Sequence, residues 1–131
     1  MKRPAKGYYI VPKGAHPWPH EERIATILKE AGHVVEFIPE SAHKTADIKL
    51  DGIEYEIKSP RSSKVSMLEK NLKRASYQCK NIIIDSSRIK SIKDSSIRNF
   101  LITKLKTQKT ISNIIFVDRK RNIIDISDLI R

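Results

Sequence analysis

The spacing of apolar residues changes several times along this chain, and each change marks an element. Over residues 20–31 the apolar positions Ile24, Ile27, Leu28 and Ala31 return every three or four residues, the period of one helix face. Pro19 suits a first helical position, where a missing N–H costs nothing, and Gly32 is a natural stop. Residues 8–11 read as a short strand in a Pro-rich lead-in, and residues 34–38 as another. After a loop over 39–45, residues 46–58 alternate apolar and polar around Asp51-Gly52, a dipeptide that favours a two-residue hairpin turn. Helical spacing returns in Val65, Leu68, Leu72, Ala75 and Cys79, with lysines on the outer face. Residues 81–85 contain Ile82-Ile83-Ile84, the unbroken run of a strand covered on both faces. Ile97, Phe100, Leu101 and Leu105 predict a third helix over about 95–106, and residues 114–118 and 123–126 a closing hairpin. From residue 20 onward the order is α, β, β, β, α, β, α, β, β. It predicts an α/β fold with a mixed sheet flanked by helices and no internal repeat.

With 131 residues the chain has the length of one domain, expected to comprise a basic lead-in over 1–19 and a single folded domain over 20–131. Hydrophobic residues make up 39% and charged ones 31%, a globular composition. No apolar run could cross a bilayer and the first residues lack the pattern of a signal peptide, so a soluble protein acting in the cytoplasm, away from membranes, is expected. A single cysteine, Cys79, excludes an intramolecular disulfide and a cysteine-rich zinc cluster.

The net charge of +11 is unevenly spread: residues 60–121 carry 16 basic and 4 acidic side chains, while the rest is nearly neutral. Such a segment attracts a polyanion, with counterion release supplying sequence-independent affinity, and nucleic acid is the leading partner. Arg61, Lys64, Lys70, Lys73 and Arg74 follow the second hairpin strand and form the expected phosphate-contacting set. A solvated lysine-rich helix face is the plainer reading of any one of them.

The hairpin sorts charge from apolar surface. A two-residue turn at Asp51-Gly52 sets Leu50 against Ile53, Lys49 against Glu54, Ile48 against Tyr55 and Asp47 against Glu56. Ile48, Leu50, Ile53, Tyr55 and Ile57 then share one face, and Asp47, Lys49, Glu54, Glu56 and Lys58 the other. Two carboxylates, Asp47 and Glu56, would lie with Cβ atoms about 5 Å apart, a costly arrangement unless a positive charge lies between them. Oxygen ligands suit a hard divalent ion, Mg²⁺ first and Mn²⁺ next, with Zn²⁺ as a further alternative. Lys58, two residues beyond Glu56 on the same face, could then orient an attacking water. Ordinary ion pairs on a solvated face, with Lys58 as counter-charge to Glu56, are the competing reading.

At these residues the sequence resembles the PD-(D/E)xK nuclease superfamily. Thr45-Ala46-Asp47 stands where that family begins its acidic strand, Glu56-Ile57-Lys58 as its (D/E)xK tripeptide, and Glu21 as the acid of its first helix. Within the superfamily, residues 20–126 are similar to the C-terminal tRNA-cleaving domains of contact-dependent growth inhibition toxins. Ala46 departs from the family, which has proline there. The resemblance implies a restriction-endonuclease-like core of order αβββαβ with a further helix and hairpin, and a metal-dependent endonuclease acting on tRNA or DNA. It implies Glu21, Asp47 and Glu56 as metal ligands, Lys58 beside the attacking water, Gln78 as an orienting residue, and an acidic immunity protein as partner. It also admits a DNA endonuclease of a mobile element, or a non-catalytic nucleic-acid-binding module on the same fold.

The histidines add little. Pro17 and Pro19 argue against a helical zinc pair at His16 and His20; His20 stands beside Glu21 and His43 in the loop before Asp47, and neither is counted among the expected site residues. No glycine-rich phosphate loop, serine elbow or cysteine-histidine dyad is present.

Overall fold

The computed structural model describes residues 7–44, 46–61 and 63–130, so Thr45 of the family-like tripeptide and the first six residues of the lead-in lie outside the described residues. The described residues form a mixed α/β fold of seven strands and three α-helices, in which strand order follows chain order. Contact density divides the chain into two compact units, Met1–Tyr55 and Glu56–Arg131.

In the first unit, helix α1 (Pro19–Glu30) begins at Pro19 and buries Ile24, Ala25, Ile27 and Leu28, the stripe its periodicity predicts. Strand β1 (Tyr8–Ile10) runs parallel to β2 (Val34–Phe37), so this part of the lead-in is a sheet strand. Strand β2 pairs antiparallel with β3 (Ile48–Leu50), and β3 antiparallel with the start of β4 (Ile53–Lys58). The β3–β4 register is Ile48 to Tyr55, Lys49 to Glu54 and Leu50 to Ile53, three of the four expected pairs; β3 begins at Ile48, so the expected pairing of Asp47 with Glu56 is not part of the ladder, and the Asp47 N–H bonds to the Tyr55 carbonyl instead. Asp51 and Gly52 have φ of 50° and 87°, both positive, which is what a turn of this hand requires. Asp51 also fastens the turn to β2: its Oδ1 accepts the Val34 N–H at 2.9 Å and its Oδ2 lies 2.7 Å from His33 Nδ1. Gly7 donates its N–H to the Lys29 carbonyl, and a Cβ built on it would collide with the His33 backbone.

In the second unit, Glu56–Lys58 of β4 runs parallel to β5 (Asn81–Asp85), β5 parallel to β6 (Asn113–Val117), and β6 antiparallel to β7 (Ile123–Asp125). Parallel neighbours need long crossovers, supplied here by α2 (Val65–Gln78) and α3 (Asp94–Thr107). Leu68, Leu72 and Ala75 of α2 and Ile97 and Leu101 of α3 pack with Ile82, Ile84, Ile114 and Phe116 into one core. Each large aliphatic side chain in it contributes about 1.5–3 kcal/mol through the water it leaves.

Some expectations need correcting. Ile53 is 54% exposed instead of sharing the buried face of Ile48, Leu50 and Tyr55, because it directly follows the exposed turn. Val65 is 48% exposed as the first residue of α2, and Cys79, its C-cap, is only half-buried. The last strand stops at Asp125, whose side chain accepts the Ser127 N–H and caps a short 3-10 helix over Ile126–Leu129.

Candidate active site

The first unit brings three acids around one lysine. Glu21, in the first turn of α1, is half-buried and accepts the Trp18 N–H at 3.0 Å, so it caps its own helix. Asp47 is fixed through its backbone: its N–H donates to the Tyr55 carbonyl at 3.1 Å, and its carbonyl accepts from Ile38 at 3.0 Å. Burial pushes the Glu21 carboxyl above its ordinary value; the bond from Trp18 opposes this, while the Asp47 charge adds to it. Lys44 Nζ sits 2.8 Å from Glu40 Oε1 and 3.7 Å from Asp47 Oδ1. Burial works against this ammonium, but Glu40, Asp47 and Glu21 outweigh it and hold it above the usual lysine range. The sequence reading missed Lys44 and Glu40. Their spacing of four, with Lys44 three residues before Asp47, was the available signal.

In the second unit Glu56 is only 7% exposed, and Lys58 Nζ lies 3.6 Å from its Oε2. This is the two-residue spacing of one strand face. Each family-like acid of the hairpin therefore has a lysine of its own nearby: Lys44 for Asp47 and Lys58 for Glu56.

Glu21 and Asp47 offer carboxylate oxygens, the donor type that hard cations take. Among the described residues, however, no three His, Cys, Asp or Glu side chains gather as a ready metal cage.

The remaining expected residues are accessible. Gln78 is the exposed last residue of α2, and Arg61, Lys64, Lys70, Lys73 and Arg74 are all exposed. His16 and His43 are exposed and His20 is half-buried on α1, whereas His33 is engaged with Asp51.

The family model described as "Contact-dependent growth inhibition CdiA C-terminal domain" matches residues 44–123, a span containing Asp47, Glu56 and Lys58. Among solved structures the fold is similar to a chain of the CdiA-CT/CdiI toxin and immunity complex from Burkholderia pseudomallei. That similarity has a TM-score of 0.66 at 17% identity and covers 88% of this chain and 96% of that one. No curated protein matches the chain.

Proposed function

The chain belongs to the contact-dependent growth inhibition CdiA C-terminal domain family, and on that premise we propose that it is a toxin domain acting as a metal-dependent endonuclease, with tRNA or DNA as substrate. The reading takes its core as restriction-endonuclease-like and its site as the PD-(D/E)xK arrangement: Glu21, Asp47 and Glu56 as ligands of Mg²⁺ or a similar ion, Lys58 at the attacking water and Gln78 orienting the substrate. The observation that carries it is the family match over residues 44–123, which spans Asp47, Glu56 and Lys58, beside the gathering of Glu21, Glu40 and Asp47 around Lys44.

When bound, the ion supplies Lewis acidity and an ionised water at neutral pH. The protein's own groups do the rest. Lys58 holds its ammonium beside Glu56, where it offsets charge on phosphoryl oxygens. Arg61, Lys64, Lys70, Lys73 and Arg74 attract and position the substrate backbone. An acidic immunity protein is the matching partner, because a basic toxin surface is best masked by opposite charge; it is supported by the complex in which the similar fold occurs.

One observation favours a second reading. Lys44 and Lys58 already compensate Asp47 and Glu56, as in a nucleic-acid-binding module without catalysis. Incubation with tRNA, single-stranded DNA and duplex DNA separates the two. The nuclease reading expects cleavage that needs Mg²⁺ or Mn²⁺, stops with chelator and disappears in Lys58→Ala. Binding with no cleavage of any substrate at any metal concentration would leave the binding module.

A further inference from the structure

Between the loop that follows β4 and the loop that follows β5, in the second unit, lies a cavity of about 460 Å³ whose described lining is Arg61, Arg88 and Lys90. We propose that this cavity is a subsite for a backbone phosphate of nucleic acid. The nuclease or binding reading above supplies the ligand's identity, but the subsite does not depend on catalysis.

Both walls are built in place. Asp85, at the end of β5 and fully buried, accepts the Ser59 hydroxyl at 2.9 Å from one loop. From the other loop it accepts the Ser87 N–H at 2.9 Å and the Ser87 hydroxyl at 3.0 Å. One carboxylate thus anchors the segment leading to Arg61 and the segment leading to Arg88 and Lys90. Ile89, between the two cations of the second wall, is 3% exposed and rooted in the core, which fixes the backbone that carries them. The far end of that loop is held by Arg119, whose Nη2 donates to the Ile89 and Ile92 carbonyls at 2.7 Å. Asp94 completes the frame, accepting from Arg119 Nη1 at 2.7 Å and from the Ser86 hydroxyl at 2.8 Å.

An anion with several oxygens is the ligand that two arginines and a lysine lining one cavity suit. Two arginines suit phosphate oxygens through paired N–H donors, and a lysine adds a point charge. Because the loops are already pinned, little ordering is spent on binding. A nucleic-acid backbone fits better than a free phosphate, since the same unit presents further exposed cations, Lys70, Lys73 and Arg74, on α2.

The test is equilibrium binding of a fluorescein-labelled single-stranded RNA of about 20 nucleotides, followed by anisotropy in chelator across a range of salt. Cleavage is then silent, and failure of the nuclease reading leaves the result interpretable. Arg88→Gln with Lys90→Gln should weaken binding about tenfold or more near 100 mM salt and lower the salt slope by about 1–2. Arg61→Gln, on the other wall, should show a smaller loss in the same direction. Lys106→Gln with Lys109→Gln removes the same charge at the far end of α3 and should change affinity less than about threefold. Circular dichroism melts confirm that each variant is folded. Inorganic pyrophosphate should compete with the RNA on wild type and compete less on the Arg88/Lys90 variant. Equal losses for the cavity and control pairs, or loss of pyrophosphate competition with RNA affinity unchanged, would overturn the proposal.

Discussion

The carboxylate of Asp94, at the start of α3, grips Arg119 twice: Oδ2 accepts its backbone N–H at 3.0 Å and Oδ1 accepts Nη1 at 2.7 Å. The same guanidinium reaches two loop carbonyls, so a residue of the β6–β7 turn holds the chain that enters α3. Both side chains are partly exposed, which tempers the charge contribution. Arg119→Ala should cost about 2 kcal/mol, read as a lower urea midpoint at unchanged slope. Arg119→Ala and Asp94→Ala should be strongly non-additive, because either change removes the shared contact. An additive double-mutant cycle would show that the pair does not act as one clasp.

A second expectation concerns acid. Burial acts to raise the Asp51 carboxyl, but the Val34 N–H and His33 outweigh it and hold the group below its usual value. A depressed carboxyl stabilises the fold above its unfolded pKa, and that contribution is lost as pH falls through the folded value. Asn accepts the positive φ at this turn. Asp51→Asn should therefore fold with the same hairpin, be less stable than wild type at neutral pH, and converge with it in acid. Melting temperatures compared from neutral pH to below pH 3.8, the ordinary Asp value, check this; a gap independent of pH would sink it.

Gly7 supplies a third. It is not in the left-handed region, so its need is space alone: a methyl group meets the His33 backbone, which cannot swing away like a side chain. Gly7→Ala should cost about 1–3 kcal/mol, with the Gly7 bond to Lys29 stretched or lost. Thermal melts measure the cost, and hydrogen exchange at the Gly7 amide reports the local contact.

The chemistry carries its own expectation. Asp47→Asn preserves shape and the backbone bonds of Asp47, yet removes a proposed ligand charge. Cleavage should fall by about 10²-fold or more while RNA affinity in chelator stays close to wild type. Unchanged cleavage would remove Asp47 from the reaction.

Periodicity carried most of the architecture. Ile24, Ile27 and Leu28 declared α1, Ile82-Ile83-Ile84 declared β5, and the Asp51-Gly52 turn set the three pairs from Leu50–Ile53 to Ile48–Tyr55, though not the expected fourth, Asp47 with Glu56. Period says which face a residue takes but not whether anything covers it there, which is why Ile53 and Val65, at element ends, are exposed. The acids of the candidate site were readable because strand alternation and helix spacing constrain them. Lys44, Glu40, Arg88 and Lys90 stand in loops, where no period applies and partners are chosen by tertiary structure. Asp85-Ser86-Ser87 offered a local signal, since Asp two residues before a backbone N–H commonly accepts it, but its reach across to Ser59 had none.

The two-residue turn between β3 and β4 also governs which genetic changes this protein tolerates. Tyr55 and Ile57 are buried on one side of a short strand whose other side carries the buried Glu56 between the more open Glu54 and Lys58. Inserting or deleting a single codon at the turn would slide the strand by one place and exchange its two sides, turning Tyr55 and Ile57 away from the interior they fill. Replacing residues at that tip should be forgiven far more readily than lengthening or shortening it.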